Sequence, residues 1–165
     1  MKASNKTVEK LGYIPEAIML HVPENFFGHG YDEAGFANAG YDEAYKVSYE
    51  TYSNQREQVF RRFYESMGNG GDEDCFYHFI STCPAKELAD GIMHVYVCFR
   101  GKVQYKAILV KFMVNEIVDL PTYKHLTPRN WCITTGPVEK PPEDILLKDV
   151  WKGARQGFRY TKNIF

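Results

Sequence analysis

The chain has 165 residues, of which 44% are apolar and 25% charged, with a net charge of −1. That length suits one domain, since domains cluster at roughly 100–150 residues, and a chain of this size buries about 70% of its unfolded surface without staples. No run approaches the ~20 apolar residues of a membrane span, and Met1-Lys2-Ala3-Ser4-Asn5-Lys6 lacks the apolar stretch of a signal peptide. The expectation is therefore a soluble cytoplasmic protein with no membrane partner, whose four cysteines, Cys75, Cys83, Cys98 and Cys132, stay reduced.

Residues 1–40 are weakly patterned. Gly30-Tyr31-Asp32-Glu33-Ala34 recurs as Gly40-Tyr41-Asp42-Glu43-Ala44, but a solenoid needs longer units and at least three of them. Over residues 41–67, Tyr41, Tyr45, Tyr49, Tyr52, Phe60 and Phe63 fall largely at three- and four-residue spacing. That spacing predicts one helix with a buried aromatic stripe, stopped by Gly68-Asn69-Gly70-Gly71. Cys75 to Ile80 reads as an aromatic strand. Pro84 then opens a short helix to about Ala89, and Gly91 ends it.

The strongest local signal lies in residues 92–113. Two β-rich runs flank Arg100-Gly101 and predict a hairpin. In the second run Val103, Tyr105, Ala107 and Leu109 alternate with Lys102, Gln104 and Lys106, which predicts one buried and one wet face. Residues 115–130, with Pro121 and Pro128, read as a loop. A short strand Trp131–Thr135 follows, closed by Gly136-Pro137, and the stretch Gln156–Thr161 reads as a final strand. Short strands with proline-rich connections and no repeated βαβ pattern predict an α+β fold built on a small barrel.

From Cys75 onward this layout resembles the PUA-like superfamily, which includes ASCH, EVE and YTH domains. The residues that carry the likeness are Ser81-Thr82-Cys83-Pro84 at a helix start, the Gly91 stop and the hairpin around Gly101. Trp131 with Gly136-Pro137-Val138, and Gln156-Gly157-Phe158-Arg159-Tyr160, complete it. The resemblance implies a PUA-like β-barrel over 75–165 within a single domain 1–165, leaving 1–74 as a helical N-terminal extension. It also implies a nucleic-acid partner, DNA or RNA, with a modified base held in an aromatic pocket. The Gly-x-Lys-x-x-Glu-x-Arg signature of ASCH domains is absent, so ASCH-type activity is not implied.

On that reading the base pocket comprises Ser81, Thr82, Trp131, Phe158 and Tyr160. Aromatic rings stack on any base, and hydroxyls near a helix N-terminus can meet a base edge or phosphate. The same residues also fit plainer roles: Trp131, Phe158 and Tyr160 as core, Ser81 and Thr82 as helix caps. The phosphate-binding set is Lys102, Lys106, Arg129, Lys152, Arg155 and Arg159. Residues 1–99 carry 8 Lys+Arg against 15 Asp+Glu, net −7, and residues 100–165 carry 12 against 6, net +6. A basic C-terminal part suits a phosphate backbone and equally suits packing against its own acidic half.

Other chemistry has thinner support. Cys75, His78 and Cys83, spaced Cys-x2-His-x4-Cys, lack a fourth nearby zinc ligand other than His94, and on a strand Cys75 and His78 point to opposite faces. Cys83, at a helix start, is the best candidate for an activated thiol. Asp72-Glu73-Asp74 reads as a solvated turn. No cofactor, metal or catalytic residue is assigned. The alternatives to nucleic-acid recognition are a small nucleic-acid-processing enzyme on the same fold and a protein-interaction module.

Overall fold

A computed structural model describes residues 8–22, 56–65, 75–119, 124–151 and 158–165. The repeated pentapeptide, residues 41–55 of the expected helix, Gly68–Gly71, the acidic triplet, Pro121, Lys152 and Arg155 lie outside the described residues, as does the side chain of Phe63.

Six strands form one mixed sheet: β1 (Ala17–His21), β2 (Phe76–Ile80), β3 (His94–Phe99), β4 (Lys102–Asp119), β5 (Lys124–Glu139) and β6 (Phe158–Thr161). Their spatial order is β2-β5-β4-β3-β1-β6. All neighbours are antiparallel except β1 and β3, which run parallel from Ala17↔His94 to His21↔Cys98. Among the described residues, helices α1 (Arg56–Glu65), α2 (Lys86–Ala89) and α3 (Leu147–Val150) accompany the sheet.

The hairpin forms where the two β-rich runs meet. Arg100 and Gly101 have φ of 52° and 78°, the paired positive values of a tight hairpin turn. Gln104 then breaks the expected alternation. Val97 pairs with Tyr105, but Cys98 pairs with Val103, so Gln104 is an extra residue on β4. Tyr105 joins the cluster under α1, whereas Val103 joins Tyr96 and Cys98 on the other face. Lys102 pairs with Phe99 and Lys106 with Tyr96, so the two lysines expected on one face are split between two.

Two expectations are corrected at the strand ends. Residues 115–130 are not a loop: β4 runs to Asp119, and β5 begins at Lys124 and continues through Gly136-Pro137 to Glu139. Pro128 is tolerated because β2 pairs with β5 only from Asn130 onward, so the missing N–H lies on an unpaired edge beside a register shift. The N-terminal region, expected to be helical, supplies β1 between β3 and β6. Ala17-Ile18-Met19-Leu20 is buried on both faces. It therefore reads as a short apolar run without the period-two alternation that marks a half-exposed strand.

The sheet curls without closing among the described residues. Ile18 and Leu20 of β1, Ile80 of β2, Val95 of β3 and Cys132 of β5 form one cluster, with Phe158 and Tyr160 of β6 packed against it. Both edge strands thus contribute to one core, yet they share no hydrogen-bonded register. Helix α1 seals the neighbouring part of this face. Phe60 stacks on Phe99 at 4.3 Å between ring centroids, and Tyr64 stacks on Phe76 at 4.7 Å. A polar rim surrounds these rings: the Tyr105 hydroxyl donates to Glu65 at 2.9 Å, and Arg61 donates to Gln104 at 3.1 Å. On the opposite face Met19, Tyr96, Cys98, Leu147 and Trp151 form a second core. Trp151 is therefore a core residue.

Phe60 has no exposed surface and holds α1 to the sheet. Phe60→Ala is expected to destabilise the protein by about 3–5 kcal/mol. The denaturant midpoint, read by near-ultraviolet circular dichroism, checks this; an unchanged midpoint would show that α1 does not dock through this ring.

Candidate functional site

The two faces of β2 carry different chemistry because successive side chains alternate across a strand. Phe76 and His78 lie beneath Tyr64 of α1 and Ile80 joins the neighbouring inner cluster, while Tyr77 and Phe79 alternate to the other side over β5, where Tyr77 is still buried in the core and Phe79 is exposed. Register extends this outer face in two rows: Tyr77, Ile133 and Lys111 in one, Phe79, Trp131 and Met113 in the next.

Phe79 is 45% exposed on an edge strand, while the Trp131 ring beneath it is fully buried. Their centroids lie 4.8 Å apart. The His125 ring meets Phe79 at 4.9 Å and Trp131 at 5.3 Å, edge-on to both. The Arg129 guanidinium lies 5.6 Å from the Phe79 centroid. His125 is fixed by its Nδ1–H, which donates to the Thr127 carbonyl at 2.9 Å, and Trp131 by its indole N–H, which donates to the Glu116 carbonyl at 2.8 Å. The result is an exposed ring backed by a rigid buried one, with a cation beside it. Beyond Met113 lies a pocket of about 170 Å³, walled by Tyr77, Val110, Met113, Ile117, Val118 and Ile133, with exposed Lys111 and Asp119 at its mouth.

The expected base-pocket residues are not assembled in one place. Trp131 is on the outer face and fully buried, so its ring offers no surface for stacking. Phe158 and Tyr160 are half-buried against the inner cluster, opposite Leu20 and Ile18. Burial there pushes the Tyr160 hydroxyl pKa up. Ser81 and Thr82 are exposed after β2. The Ser81 carbonyl accepts from the Asn130 side chain at 2.9 Å, and the side-chain oxygen of Asn130 accepts from the Asn115 N–H at 2.9 Å.

The basic set is similarly dispersed. Lys102 is paired with Asp144 at 3.1 Å, and Lys106 donates to the Phe165 carbonyl at 2.8 Å. Lys106, Tyr96, Met19 and Arg159 share one cross-strand row, which places Lys106 and Arg159 roughly 14 Å apart at ordinary strand spacing. Tyr96, between them, is covered by the end of the chain: its hydroxyl accepts from the Ile164 N–H at 2.7 Å. Among the described basic candidates Arg129 stands beside an exposed ring, that of Phe79.

Phe79, His125 and Lys111 were not legible as site residues. In Cys75-Phe76-Tyr77-His78-Phe79-Ile80 both faces are aromatic, so composition cannot tell the wet one. Cys83 is no activated thiol: burial raises its pKa, and its S–H donates to the Met113 carbonyl at 3.3 Å. Comparison with known proteins returns no match to a family model, a curated protein or a solved structure.

His78, behind this site, is buried with its Nε2 3.2 Å from the Thr134 hydroxyl and its ring 4.2 Å from Phe76. Burial lowers its pKa from 6.5 to about 3. The folded state therefore binds fewer protons than the unfolded state between these values, and stability present above pH 6.5 is lost as pH falls toward 3. The expected slope is up to about 1.4 kcal/mol per pH unit. Carboxylates add their own acid sensitivity, so denaturation of wild type and His78→Phe should be compared across this range. Equal slopes in the two proteins would show that His78 is not held neutral.

Proposed function

We propose that the protein binds single-stranded nucleic acid, DNA or RNA, with one base stacked on Phe79 and the adjoining phosphate held by Arg129. The observation that carries this reading is the exposed Phe79 ring, backed by buried Trp131 and flanked by His125 and Arg129. Stacking of a base on an aromatic is worth about 1–3 kcal/mol and needs an unpaired base face. A ring immobilised beforehand loses little entropy on contact. The charge of the C-terminal part, net +6 over residues 100–165, favours a polyanion. A PUA-like fold is the architecture this reading adopts, supported by the curled sheet and by the helix packed across its inner face. The modified-base part of the reading moves from the Trp131, Phe158 and Tyr160 set to the outer face.

A second reading has its own observation. The β4–β5 ribbon exposes Val114 at 65%, Leu126 at 63% and Ile117 at 47%, an apolar surface that suits a protein partner. The two readings separate on salt. Nucleic-acid affinity falls as salt rises because counterions are released, whereas apolar docking does not fall in this way.

Phe79→Ala is expected to weaken oligonucleotide binding by about 1–3 kcal/mol without loss of fold, because the ring is half exposed. Arg129→Ala is expected to reduce the salt slope by about one unit, and Lys102→Ala, already paired internally, to change little. Fluorescence anisotropy with labelled single strands at several salt concentrations provides the measurement. No binding to any single strand at low salt, or wild-type affinity in Phe79→Ala, would overturn the proposal.

A further inference from the structure

The stacking platform leaves a cation on its own side of the sheet unused. Several described cations are engaged elsewhere. Lys102 meets Asp144, and Lys140 meets Glu65. Lys106 donates to the Phe165 carbonyl, Arg61 donates to Gln104, and the Lys162 ammonium lies over the Tyr13 ring. Lys111 is exposed and has no hydrogen-bond or ion-pair partner among the described residues. Asp119, which shares the pocket mouth with it, is engaged within the chain.

Register fixes where Lys111 stands. It pairs with Ile133 of β5, which pairs with Tyr77 of β2. That row adjoins the row of Phe79, Trp131 and Met113 on the same side of the sheet. The Arg129 guanidinium leans to the Phe79 ring of β2, whereas Lys111 belongs to β4, with β5 between them. Two strand spacings across and one two-residue row along separate the positions, roughly 12 Å at ordinary sheet dimensions. Consecutive phosphates of one strand lie closer together than this, and alternate phosphates of an extended strand match it. Glu116 stands directly opposite Arg129 and is exposed. Its carboxylate repels a polyanion, so a strand held at Arg129 runs toward Lys111 rather than toward Glu116.

Resting on the proposed binding of single strands, we infer that Lys111 holds a second phosphate of the same strand, two along from the one at Arg129. The nucleotide stacked on Phe79 then begins a path that crosses β5 obliquely and ends at Lys111. The ligand is accordingly a run of unpaired nucleotides joined by phosphodiesters, rather than a free nucleotide. A lysine suits this place because its flexible ammonium meets a phosphate as a point charge. Such a contact positions the strand and carries no sequence information.

The test uses the full chain, with labelled oligo(dT) read by anisotropy across a salt series and thymidine monophosphate read by titration calorimetry. Lys111→Gln is expected to lower the salt slope for oligo(dT) by about one unit, and Lys111→Arg to keep it. Lys148→Gln removes the same charge from an exposed position of α3, whose Leu147 belongs to the opposite core. It should leave the slope as in wild type. The mononucleotide reaches only one of the two cations, so Lys111→Gln should bind it as wild type does. A wild-type slope in Lys111→Gln would overturn the inference and leave the stacking proposal standing. Equal loss of slope in Lys111→Gln and Lys148→Gln would also overturn it, since net charge alone would then account for the effect. So would a matching loss of mononucleotide affinity in Lys111→Gln, which would put Lys111 at the same phosphate as Arg129. Absence of wild-type binding to oligo(dT) at low salt would remove the stacking proposal and this inference with it.

Discussion

Gln104 sits between two registers, and the identity of each face follows from it. One extra residue on β4 sends Tyr105 under α1 and Val103 to the opposite core. Its side chain is buried and must be paired, since an unbonded buried amide is costly. Its Nε2 donates to the Phe99 carbonyl at 3.1 Å, and its Oε1 accepts from Arg61. The bulge is thereby tied both to the hairpin it follows and to the helix it supports. Without that extra residue the period-two rule would bring Val103 and Tyr105 to one face, and one of the two cores would lose a member.

The same alternation separates stability from recognition on β2 and β5. Inward residues such as Phe76, His78, Cys132 and Thr134 meet the core, and burial raises the Cys132 thiol pKa as it lowers that of His78. Outward residues build the exposed ring, its cation and the adjoining pocket. A substitution at exposed Phe79 or Arg129 can therefore change binding with little effect on folding, and one on the inner face does the reverse. Trp131 lies between these roles: it points outward, yet it is covered by Phe79, His125 and Tyr77 and acts as the floor on which the exposed ring rests.

Much of the fold was legible in the sequence. The hairpin at Arg100-Gly101 showed in two β-rich runs, the core of α1 in the spacing of Phe60, and β6 in Phe158-Arg159-Tyr160-Thr161. What escaped notice did so for identifiable reasons. β1 has two buried faces and hence no alternation. The distal parts of β4 and β5 were hidden by Pro128, whose cost vanishes on an unpaired edge. The candidate site was legible only as a composition. Arg129 was named for its charge, but exposure of Phe79 rather than Trp131 depends on which strand lies at the edge, a long-range property that no local pattern contains. Lys102 and Lys106 dispersed because the bulge at Gln104 put them on opposite faces, where Asp144 and Phe165 each claimed one.

The position of β1 imposes an order on synthesis. Its partners are β3 on one side and β6 on the other, and both are translated later, β6 among the last residues of the chain given. As the chain leaves the ribosome, Ala17-Ile18-Met19-Leu20 waits as an unpaired apolar segment while the β3–β4–β5 meander, whose contacts are local, can assemble ahead of it. Long-range pairing of this kind slows folding, and an exposed apolar strand in the interval invites wrong partners. The nascent chain thus carries this apolar segment unpaired until β3 and β6 have emerged, and holding factors that shield it in the interval would influence the yield of native protein.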